Sequence, residues 1–527
     1  MMITAPSALL YLLLLPLLTL LLLLRRRDGD GRRHGERPPP SPPGALPVLG
    51  HLHLMGARPH VSLRGLAEAN GLAGGDGLML VRLGQVPNLV VSSPRAAEAV
   101  LRERDHALAS RPPSAVSAVL HAGACDVAMA PYGEYWRQAR RLVTTHLLGA
   151  RKVHSFRRAR EEEVRLVLAG VSAAAGGAAV DVSELLGAYA SDVVCRAVSG
   201  KSFREDGRNG LFRELAEGNA AALGGFNLEE YFPSLARVGV LTRLVCARTR
   251  RLKKRWDNLL DEIVDEHAAR SSVHRDHGQS DDGERQEEDR DFIDVLLSLQ
   301  AEYGLTRDQV KGIVMDMFAA GTDTSFIVME YAMVELIRNP HIMAKLQDEI
   351  INNTPKGQDI VMEDNLNGMT YLKAVIKETL RLHPPVPLLL PRISMEKCEV
   401  NGYTIPAGMR VIVNAWALGR DPRSWEKAEE FMPERFMDNG STTNVDFKGK
   451  DFKFLPFGGG RRICPGISFG MATVEIMLAN LLYCFDWELP AWMTKEDVHM
   501  IDVFGLTMHR EGRLFLVPRS RMVNDAE

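Results

Sequence analysis

The sequence predicts a mainly α-helical fold with small β-sheets, preceded by one N-terminal transmembrane helix. Three observations support this prediction: helical periodicity dominates the chain, strand patterns are few and short, and residues 1–24 contain no charged side chain. The chain has 527 residues, 46% hydrophobic and 25% charged, which is the composition of a globular protein with a large core. The formal net charge of −3 gives no reason to expect a nucleic-acid partner.

The N-terminal segment predicts a membrane anchor at residues 1–24. It is mostly leucine, and about 20 apolar helical residues cross a bilayer core of roughly 30 Å. Arginines follow at residues 25–27, so the positive-inside rule places the rest of the chain in the cytosol. A cleaved signal peptide is the alternative, but its positive charge precedes the apolar run. Residues 25–50 are basic and then proline-rich, which indicates a stiff hinge before a body at residues 51–527.

Local patterns predict the elements of this body. Thr306 and Gln309 form a capping-box pattern, so a helix of about 33 residues is expected from there to Asn339. Residues 270–291 are highly charged and indicate a solvated loop. One further helix is expected to begin at Pro94, and others are expected at residues 134–146, 156–169, 182–197, 252–269 and 371–383. Strands are expected at residues 78–83, 88–92, 399–405 and 409–415.

The strongest chemical signal is the segment FGGGRRICPG, which runs from Phe457 to Gly466. Cys464 lies just before an apolar helical run, and the positive end of a helix favours an anion such as a thiolate. The glycines allow close backbone approach, and Arg462 is suited to an anionic partner. A buried structural cysteine and a glycine-rich phosphate loop are the alternatives, but the segment lacks the Gly-Lys-Ser/Thr ending of phosphate loops. The six cysteines form no Cys-x-x-Cys pair, which argues against zinc ribbons.

A second signal lies in the middle of the long helix, at Ala320–Ser325. Glycine inside a helix costs about 1 kcal/mol relative to alanine, so Gly321 suggests that a ligand presses close or that the helix widens locally. The hydroxyl of Thr324 beside the carboxyl of Asp323 is a pair that holds water and relays protons. Taken alone, such a segment is more often a polar stretch without chemistry.

The cysteine segment resembles the haem-binding signature of cytochromes P450, and the matches are at Phe457, Gly460, Arg462, Cys464 and Gly466. The resemblance covers essentially the whole chain and is greatest to the large plant microsomal group. It implies the cytochrome P450 fold, a haem-thiolate catalytic domain at residues 51–527, and haem b as cofactor. Cys464 is then the axial ligand of the haem iron, and its thiolate favours O–O bond cleavage.

The resemblance also assigns roles to residues outside the cysteine segment. The segment with Thr324 is similar to the oxygen-activation motif of the family, so Thr324 and Asp323 are the expected catalytic residues. Trp136 and Arg140 match the family's Trp-x-x-x-Arg helix, whose side chains meet a haem propionate. Arg392 resembles a further propionate contact.

Glu378, Arg381 and Arg435 resemble the triad that locks the core of the family, and we expect a structural role for them. Helical periodicity alone gives a different expectation, because it places Glu378 and Arg381 away from the apolar stripe of their helix. On that basis they would form an exposed ion pair that contributes less than about 1 kcal/mol.

The resemblance implies a haem-thiolate monooxygenase that inserts one atom of dioxygen into a small hydrophobic plant metabolite, such as a terpenoid, indole, phenolic or aldoxime. Apolar pocket segments are expected at residues 114–130, 386–390 and 504–506, with Phe318. Electrons are expected from NADPH through a cytochrome P450 reductase at the endoplasmic reticulum membrane, with the catalytic domain in the cytosol. The expected reductase contacts are Arg137, Lys448, Lys450 and Lys453.

Two other functions stay open at this point. A haem-thiolate isomerase or dehydratase would need no reductase, so its activity would persist without NADPH. A haem-binding sensor or carrier would have no turnover, so apolar compounds would not raise NADPH oxidation in the presence of a reductase.

Overall fold

The computed structural model describes residues 37–521 except residues 74–75, 124, 175–176, 205–208, 226, 237–242, 244–245, 277–289, 438–439 and 441. The predicted anchor at residues 1–24 lies outside the described residues, as does the basic part of the predicted hinge up to residue 36.

The proline-rich part of the hinge packs against the folded body. The Leu80 N–H donates a hydrogen bond to the Pro40 carbonyl oxygen at 2.8 Å, and the Thr404 N–H donates to the Arg37 carbonyl oxygen at 2.7 Å. The described part of the predicted hinge is therefore hydrogen-bonded to the body at Arg37 and Pro40.

The described part of the chain is mainly α-helical, as the sequence predicts. The helices are α1 (Pro59–Ala69), α2 (Pro94–Glu98), α3 (Ala115–Leu120), α4 (Glu134–Leu142), α5 (Ala150–Ser155), α6 (Arg157–Ala174), α7 (Val182–Ser199), α8 (Asn209–Gly224), α9 (Leu228–Tyr231), α10 (Pro233–Ala236), α11 (Ala247–Asp276), α12 (Phe292–Tyr303), α13 (Arg307–Arg338), α14 (Pro340–Asn353), α15 (Thr370–Leu382), α16 (Ala415–Leu418) and α17 (Ile467–Cys484). The strands are β1 (Leu78–Leu83), β2 (Val86–Val91), β3 (Val180–Asp181), β4 (Arg392–Ile393), β5 (Cys398–Val400), β6 (Tyr403–Ile405), β7 (Arg410–Val413), β8 (Phe485–Glu488), β9 (Asp502–Phe504), β10 (Met508–Arg510) and β11 (Phe515–Ser520).

Helix α13 is the central rod of the body. The predicted capping box is present: the Thr306 hydroxyl oxygen accepts the Gln309 N–H at 3.2 Å, and the Gln309 side chain accepts the Thr306 N–H at 2.8 Å. The helix has 32 residues, most of them buried, and it packs against α7, α8, α11, α15 and α17. At about 1.5 Å per residue it is long enough to cross the whole core.

Small sheets surround this helical core. The largest has the strand order β1-β2-β7-β4, and the predicted hairpin of β1 and β2 is confirmed with Leu80 opposite Leu89. Strands β2 and β7 run parallel, whereas β4 and β7 run antiparallel. The strand predicted around residues 399–405 is a hairpin of β5 and β6, with a turn at Asn401 and Gly402 in which both residues have positive φ. Strands β9 and β10 form another hairpin.

Several predicted helix boundaries differ from the structure: the helices expected at 156–169 and 252–269, for example, are observed as Arg157–Ala174 and Ala247–Asp276. The helix expected at 134–146 changes to a π turn at Val143–Leu147, where the Thr144 hydroxyl donates to the Arg140 carbonyl oxygen at 2.8 Å and competes with the backbone. Residues 270–276, which were expected to lie in a loop, belong to α11, and residues 277–289 of that predicted loop lie outside the described residues.

Candidate functional site

Cys464 lies in the loop that leads into α17. Its N–H donates to the Phe457 carbonyl oxygen at 3.0 Å, and Gly466 caps the helix, so the sulfur lies beside the first turn. The Gly466 N–H donates a hydrogen bond to Cys464 Sγ at 3.3 Å. Burial raises the pKa of the Cys464 thiol, whereas the Gly466 N–H and the positive charge of Arg140 oppose that rise. The loop therefore supplies a backbone donor and α4 supplies a cation, the two groups that stabilise a buried thiolate.

Gly460 is the position where this loop requires glycine. Its φ is +67°, and a Cβ atom there would lie 2.3 Å from the Leu101 carbonyl oxygen and 2.5 Å from Asp105 Oδ1. Gly466 has a φ of −89°, and a Cβ atom would lie 3.8 Å from the Cys464 sulfur, which is an ordinary contact. The backbone conformation and the close packing thus both demand glycine at position 460 but not at position 466.

We expect Gly460→Ala to lower the free energy of unfolding by about 2–4 kcal/mol, because left-handed strain and overpacking add. The matched control is Gly512→Ala, where φ is +80° but no atom lies within 4 Å of the added Cβ, so only about 1 kcal/mol of strain is expected. Urea unfolding of both variants measures the difference. Equal losses would contradict the close-packing explanation.

Arg462 is held by backbone carbonyl groups beside the loop. It donates to the carbonyl oxygens of Ala109, Val127 and Ala130 at 2.8, 3.3 and 2.6 Å. Its guanidinium lies 4.1 Å from the ring centroid of Trp136, whose indole N–H donates to the Val127 carbonyl oxygen at 3.0 Å. Arg462 of the cysteine segment therefore contacts Trp136, which the resemblance pairs with a propionate.

Arg140 and Arg392 reach the same loop from α4 and β4. Arg140 donates to the Ile463 carbonyl oxygen at 2.5 Å. Arg392 donates to the Gly459 carbonyl oxygen at 2.6 Å and pairs with Asp105 at 2.9 Å. The structure thus brings together the arginines that the sequence singled out.

The region beside the loop carries more positive than negative charge. Burial, and then the nearby charge of Arg392, lowers the pKa of Arg462 to about 9. Burial and the charges of Arg462 and Arg392 also lower the pKa of Arg111, a residue that the sequence analysis missed. Among the described residues, the carboxylates that oppose these cations include those of Asp105 and Asp126. An anionic group placed against this arginine cluster (Arg111, Arg140, Arg392 and Arg462) would be stabilised.

Helix α13 is α-helical without interruption through Ala320–Ser325, so local widening, one of the two reasons considered for Gly321, does not occur in this segment. A Cβ atom on Gly321 would lie 2.9 Å from Val194 Cγ2, so this glycine lets α13 and α7 approach each other. The Thr324 hydroxyl donates to the Ala320 carbonyl oxygen at 2.7 Å. Its oxygen keeps lone pairs that can accept a further hydrogen bond.

Asp323 is buried and contacts a distant part of the chain. Its Oδ2 accepts a hydrogen bond from the Thr507 hydroxyl at 2.5 Å and lies 3.5 Å from His509 Nε2. Burial raises the pKa of Asp323, whereas the charge of His509 and the hydrogen bond from Thr507 oppose the rise. The sequence analysis did not single out Thr507 or His509 as polar partners of this carboxyl.

Glu378, Arg381 and Arg435 form an ion-pair network with side chains 0% exposed. Arg381 donates to the two Glu378 oxygens at 2.7 and 2.8 Å, and Arg435 Nε lies 3.1 Å from both. The exposed pair expected from helical periodicity is therefore wrong. The segment that follows α16 covers this face of α15, and its Gly419 and Ala428 carbonyl groups accept from Arg381.

Asp316 of α13 forms hydrogen bonds with the expected pocket segment at residues 114–130. Its Oδ2 accepts the N–H groups of Val127 and Ala128 at 2.7 and 3.0 Å. A carboxylate inside the apolar run before Gly321 was a sequence signal that could have identified Asp316. Phe318, expected in the pocket, is only 1% exposed and belongs to the helical core.

The comparison with protein families agrees with this geometry, since the model for Cytochrome P450 matches residues 39–516. The chain belongs to the cytochrome P450 family. It is therefore an enzyme of a family whose cofactor is haem iron. The residues present fit that cofactor: Cys464 is the candidate iron ligand, and the arginine cluster is a partner for the two propionates.

This cytochrome P450 is similar to two enzymes of Zea mays over 91% of its own length. An indole-2-monooxygenase is 58% identical, with 87% of that protein covered, and a 3-hydroxyindolin-2-one monooxygenase is 56% identical, with 88% covered. A zebrafish cytochrome P450 solved with progesterone has a TM-score of 0.72 at 24% identity. That match covers 88% of this chain and 99% of the other, and it shows the fold.

Within the described residues, α13 and α17 are long and apolar enough to cross a membrane. The most apolar windows of these helices are 67% and 61% buried inside the molecule. Both are therefore core helices of the P450 domain, in keeping with their packing against each other.

Proposed function

We propose that this cytochrome P450 is a monooxygenase that inserts one atom of dioxygen into a small aromatic substrate of the indole class. The reaction type rests on one observation, the Cys464 sulfur with its Gly466 N–H donor beside the arginine cluster. The substrate class rests on the two maize relatives, which are named for indole and 3-hydroxyindolin-2-one. Both molecules are small fused bicyclic rings, as suits the apolar segments at residues 114–130, 386–390 and 504–506.

In this proposal Cys464 and the arginine cluster would hold haem b. Cys464 would bind the iron as a thiolate, stabilised by the Gly466 N–H and by Arg140. The propionates would be bound by Arg140, Arg392, Arg462 and Arg111, and Trp136 packs on Arg462 and fixes its direction. When bound, haem supplies dioxygen binding and O–O cleavage, which a thiolate ligand favours.

Thr324 and Asp323 are the proposed catalytic residues. Thr324 already donates its proton to the Ala320 carbonyl group, so its oxygen is oriented to accept from a water molecule. Asp323 is the proposed proton source, because burial raises its pKa and so favours the protonated carboxyl.

We further propose that electrons come from NADPH through a cytochrome P450 reductase at the endoplasmic reticulum membrane, where residues 1–24 anchor the chain with its catalytic domain in the cytosol. Lys448 and Lys450 are exposed and lie on either side of Gly449. A Cβ atom on Gly449 would lie 2.8 Å from Ile463 Cδ1, so this segment packs against the cysteine loop. Positive charge thus lies at the surface beside the cysteine loop, where it would steer an acidic partner. Arg137 is exposed as well, whereas Lys453 lies 5.0 Å from the Trp425 ring centroid.

The test is expression of the full-length chain in microsomes with a P450 reductase. Indole, indolin-2-one, 3-hydroxyindolin-2-one, a terpene and an aromatic aldoxime are supplied one at a time with NADPH. We expect a product heavier by one oxygen atom from at least one of the three indole-type compounds, with the oxygen derived from labelled dioxygen. Oxidation of the terpene or the aldoxime alone would overturn the substrate class.

Two controls separate the remaining reaction types. Product formation that persists without NADPH and reductase would identify an isomerase or dehydratase. NADPH oxidation that no compound raises, in a preparation with intact haem and reductase, would identify a sensor or carrier. Either result would overturn the monooxygenase proposal.

A further inference from the structure

The hairpin of β9 and β10 lies between α8 and the middle of α13. The two strands pair antiparallel, with His509 opposite Val503, and β10 packs on α13. The turn of the hairpin presses on the end of α8, since a Cβ atom on Gly224 would lie 1.8 Å from the Leu506 amide nitrogen. This packing fixes the side chains of the hairpin relative to Asp323.

Three polar side chains connect here in sequence from the surface to the core. His509 Nε2 lies 3.2 Å from the Thr507 hydroxyl oxygen, and that hydroxyl donates to Asp323 Oδ2 at 2.5 Å. The exposed fraction falls from 31% for the His509 side chain to 7% for the Asp323 side chain. Thr507 is buried between them, at 5% exposure. The outer end of the connection therefore reaches solvent and the inner end does not.

We propose that His509 and Thr507 are the path by which protons from solvent reach Asp323. The inference deepens the proposed function and rests on it, because Asp323 is the proton source there. His509 has the properties of an entry point, since its side chain is 31% exposed and an imidazole ring has two nitrogens that can carry a proton. Thr507 has the properties of a relay, since a hydroxyl group both accepts and donates hydrogen bonds.

The proton balance needs no further reactant. Cationic His509 gives its Nε2 proton to the Thr507 oxygen, while Thr507 gives its own hydroxyl proton to the Asp323 carboxylate. Only N–H and O–H bonds form and break. Neutral His509 then takes a proton from solvent, and the Thr507 hydroxyl rotates back to its starting direction. Asp323 is then protonated and His509 is cationic, so Asp323 can donate a proton again in the next catalytic cycle.

Other charged groups also face this path. Glu217 of α8 acts on both Asp323 and His509, and Arg213 and Glu184 lie near Glu217. On the α13 side, Glu330 interacts electrostatically with His509 and with Arg510, and the ring of Phe326 has its centroid 6.5 Å from that of His509. All of these groups stay unchanged in the variants below, so a measured shift reports on the path itself.

The expected direction of the pKa change follows from the opposing contributions. Burial raises the pKa of Asp323, while the cationic charge of His509 and the hydrogen bond from Thr507 stabilise its carboxylate and lower that pKa. Removing either partner therefore raises the pKa of Asp323 further. The carboxyl then stays protonated to higher pH, yet it regains a lost proton more slowly.

The first test is a pH titration of the haem-loaded full-length protein by infrared spectroscopy. The C=O band of protonated Asp323 is identified by its loss in Asp323→Asn. We expect its titration midpoint to move to higher pH in His509→Gln and Thr507→Val and to stay in place in Thr507→Ser. The matched control is His499→Gln: His499 is exposed, its carbonyl oxygen accepts from Arg510 of β10, and within the described part of the chain it forms no hydrogen bond or ion pair with Asp323. An unchanged midpoint in His509→Gln would overturn the proposal.

The second test follows NADPH consumption, product and peroxide during indole turnover in light and heavy water. We expect His509→Gln to reduce the product rate by about 3- to 10-fold, less than the ~10²-fold typical for loss of a general acid, because water still reaches Thr507. Peroxide should rise, and the solvent isotope effect should increase. If the hairpin only stabilises the fold, His509→Gln would lower the melting temperature and leave the solvent isotope effect and the pH profile unchanged.

The two tests fail independently of each other. The infrared titration needs no turnover, so it tests the link between His509 and Asp323 even where no indole is oxidised and the proposed function itself fails. Normal indole oxidation, with a wild-type isotope effect and pH profile in His509→Gln, would overturn the proton path alone.

Discussion

Replacing Cys464 by serine is expected to abolish indole oxidation and to remove the thiolate-type absorption band of the reduced carbon-monoxide complex. A serine hydroxyl stays neutral where a thiol ionises, so the Gly466 N–H and Arg140 would have no anion to stabilise. The electron donation that favours O–O cleavage is lost with the sulfur. The measurements are the carbon-monoxide difference spectrum, the haem content and the product yield of the purified full-length variant.

The matched control is Cys484→Ser, at the other end of the same helix. Cys484 is buried, and its sulfur lies 3.8 Å from the Asp359 carbonyl oxygen. Burial raises the pKa of this thiol to about 12, so it remains neutral. The control should keep the thiolate band and the activity. A Cys464→Ser protein that retained the band at normal haem content would show that another group binds the iron.

The Cys464 loop and the long helix were predictable because each depends on neighbours within a few residues. The capping box joins residues three apart, and the loop places its sulfur beside the next helix through Gly466. Even there, the sequence did not reveal why Gly460 is required. The Leu101 carbonyl group that excludes a side chain comes from a distant part of the chain.

Contacts between distant segments account for what the sequence analysis missed. Thr507 lies 184 residues from Asp323, so no local pattern links the hydroxyl to the carboxyl. Gly321 has a periodic position that suits a ligand, but the structure places Val194 of α7 against it. Periodicity assigns one apolar face to a helix, and it does not reveal when a second segment covers the opposite face.

The largest effect on stability is expected from that covered face, with Glu378→Gln. Glutamine keeps the size and one carbonyl acceptor but removes the charge that neutralises Arg381 and Arg435, both fully buried. Breaking a buried ion pair by removing one partner costs about 3–5 kcal/mol, because the remaining charge stays uncompensated. We therefore expect a much lower urea midpoint and a reduced yield of haem-loaded protein.

The matched control for this change is Glu214→Gln, which breaks an ion pair of similar geometry on the surface. Arg255 donates to both Glu214 oxygens at 2.6 Å, but the two side chains are 45% and 60% exposed. Because solvent screens such pairs, the control should lose about 0.2–1 kcal/mol at most. Because both variants carry the same substitution and lose ion pairs of similar geometry, the difference between their free energies of unfolding measures the effect of burial. If Glu378→Gln cost no more than Glu214→Gln, the carbonyl groups of Gly419 and Ala428 would suffice to hold the arginines, and the carboxylate would not be what locks the core.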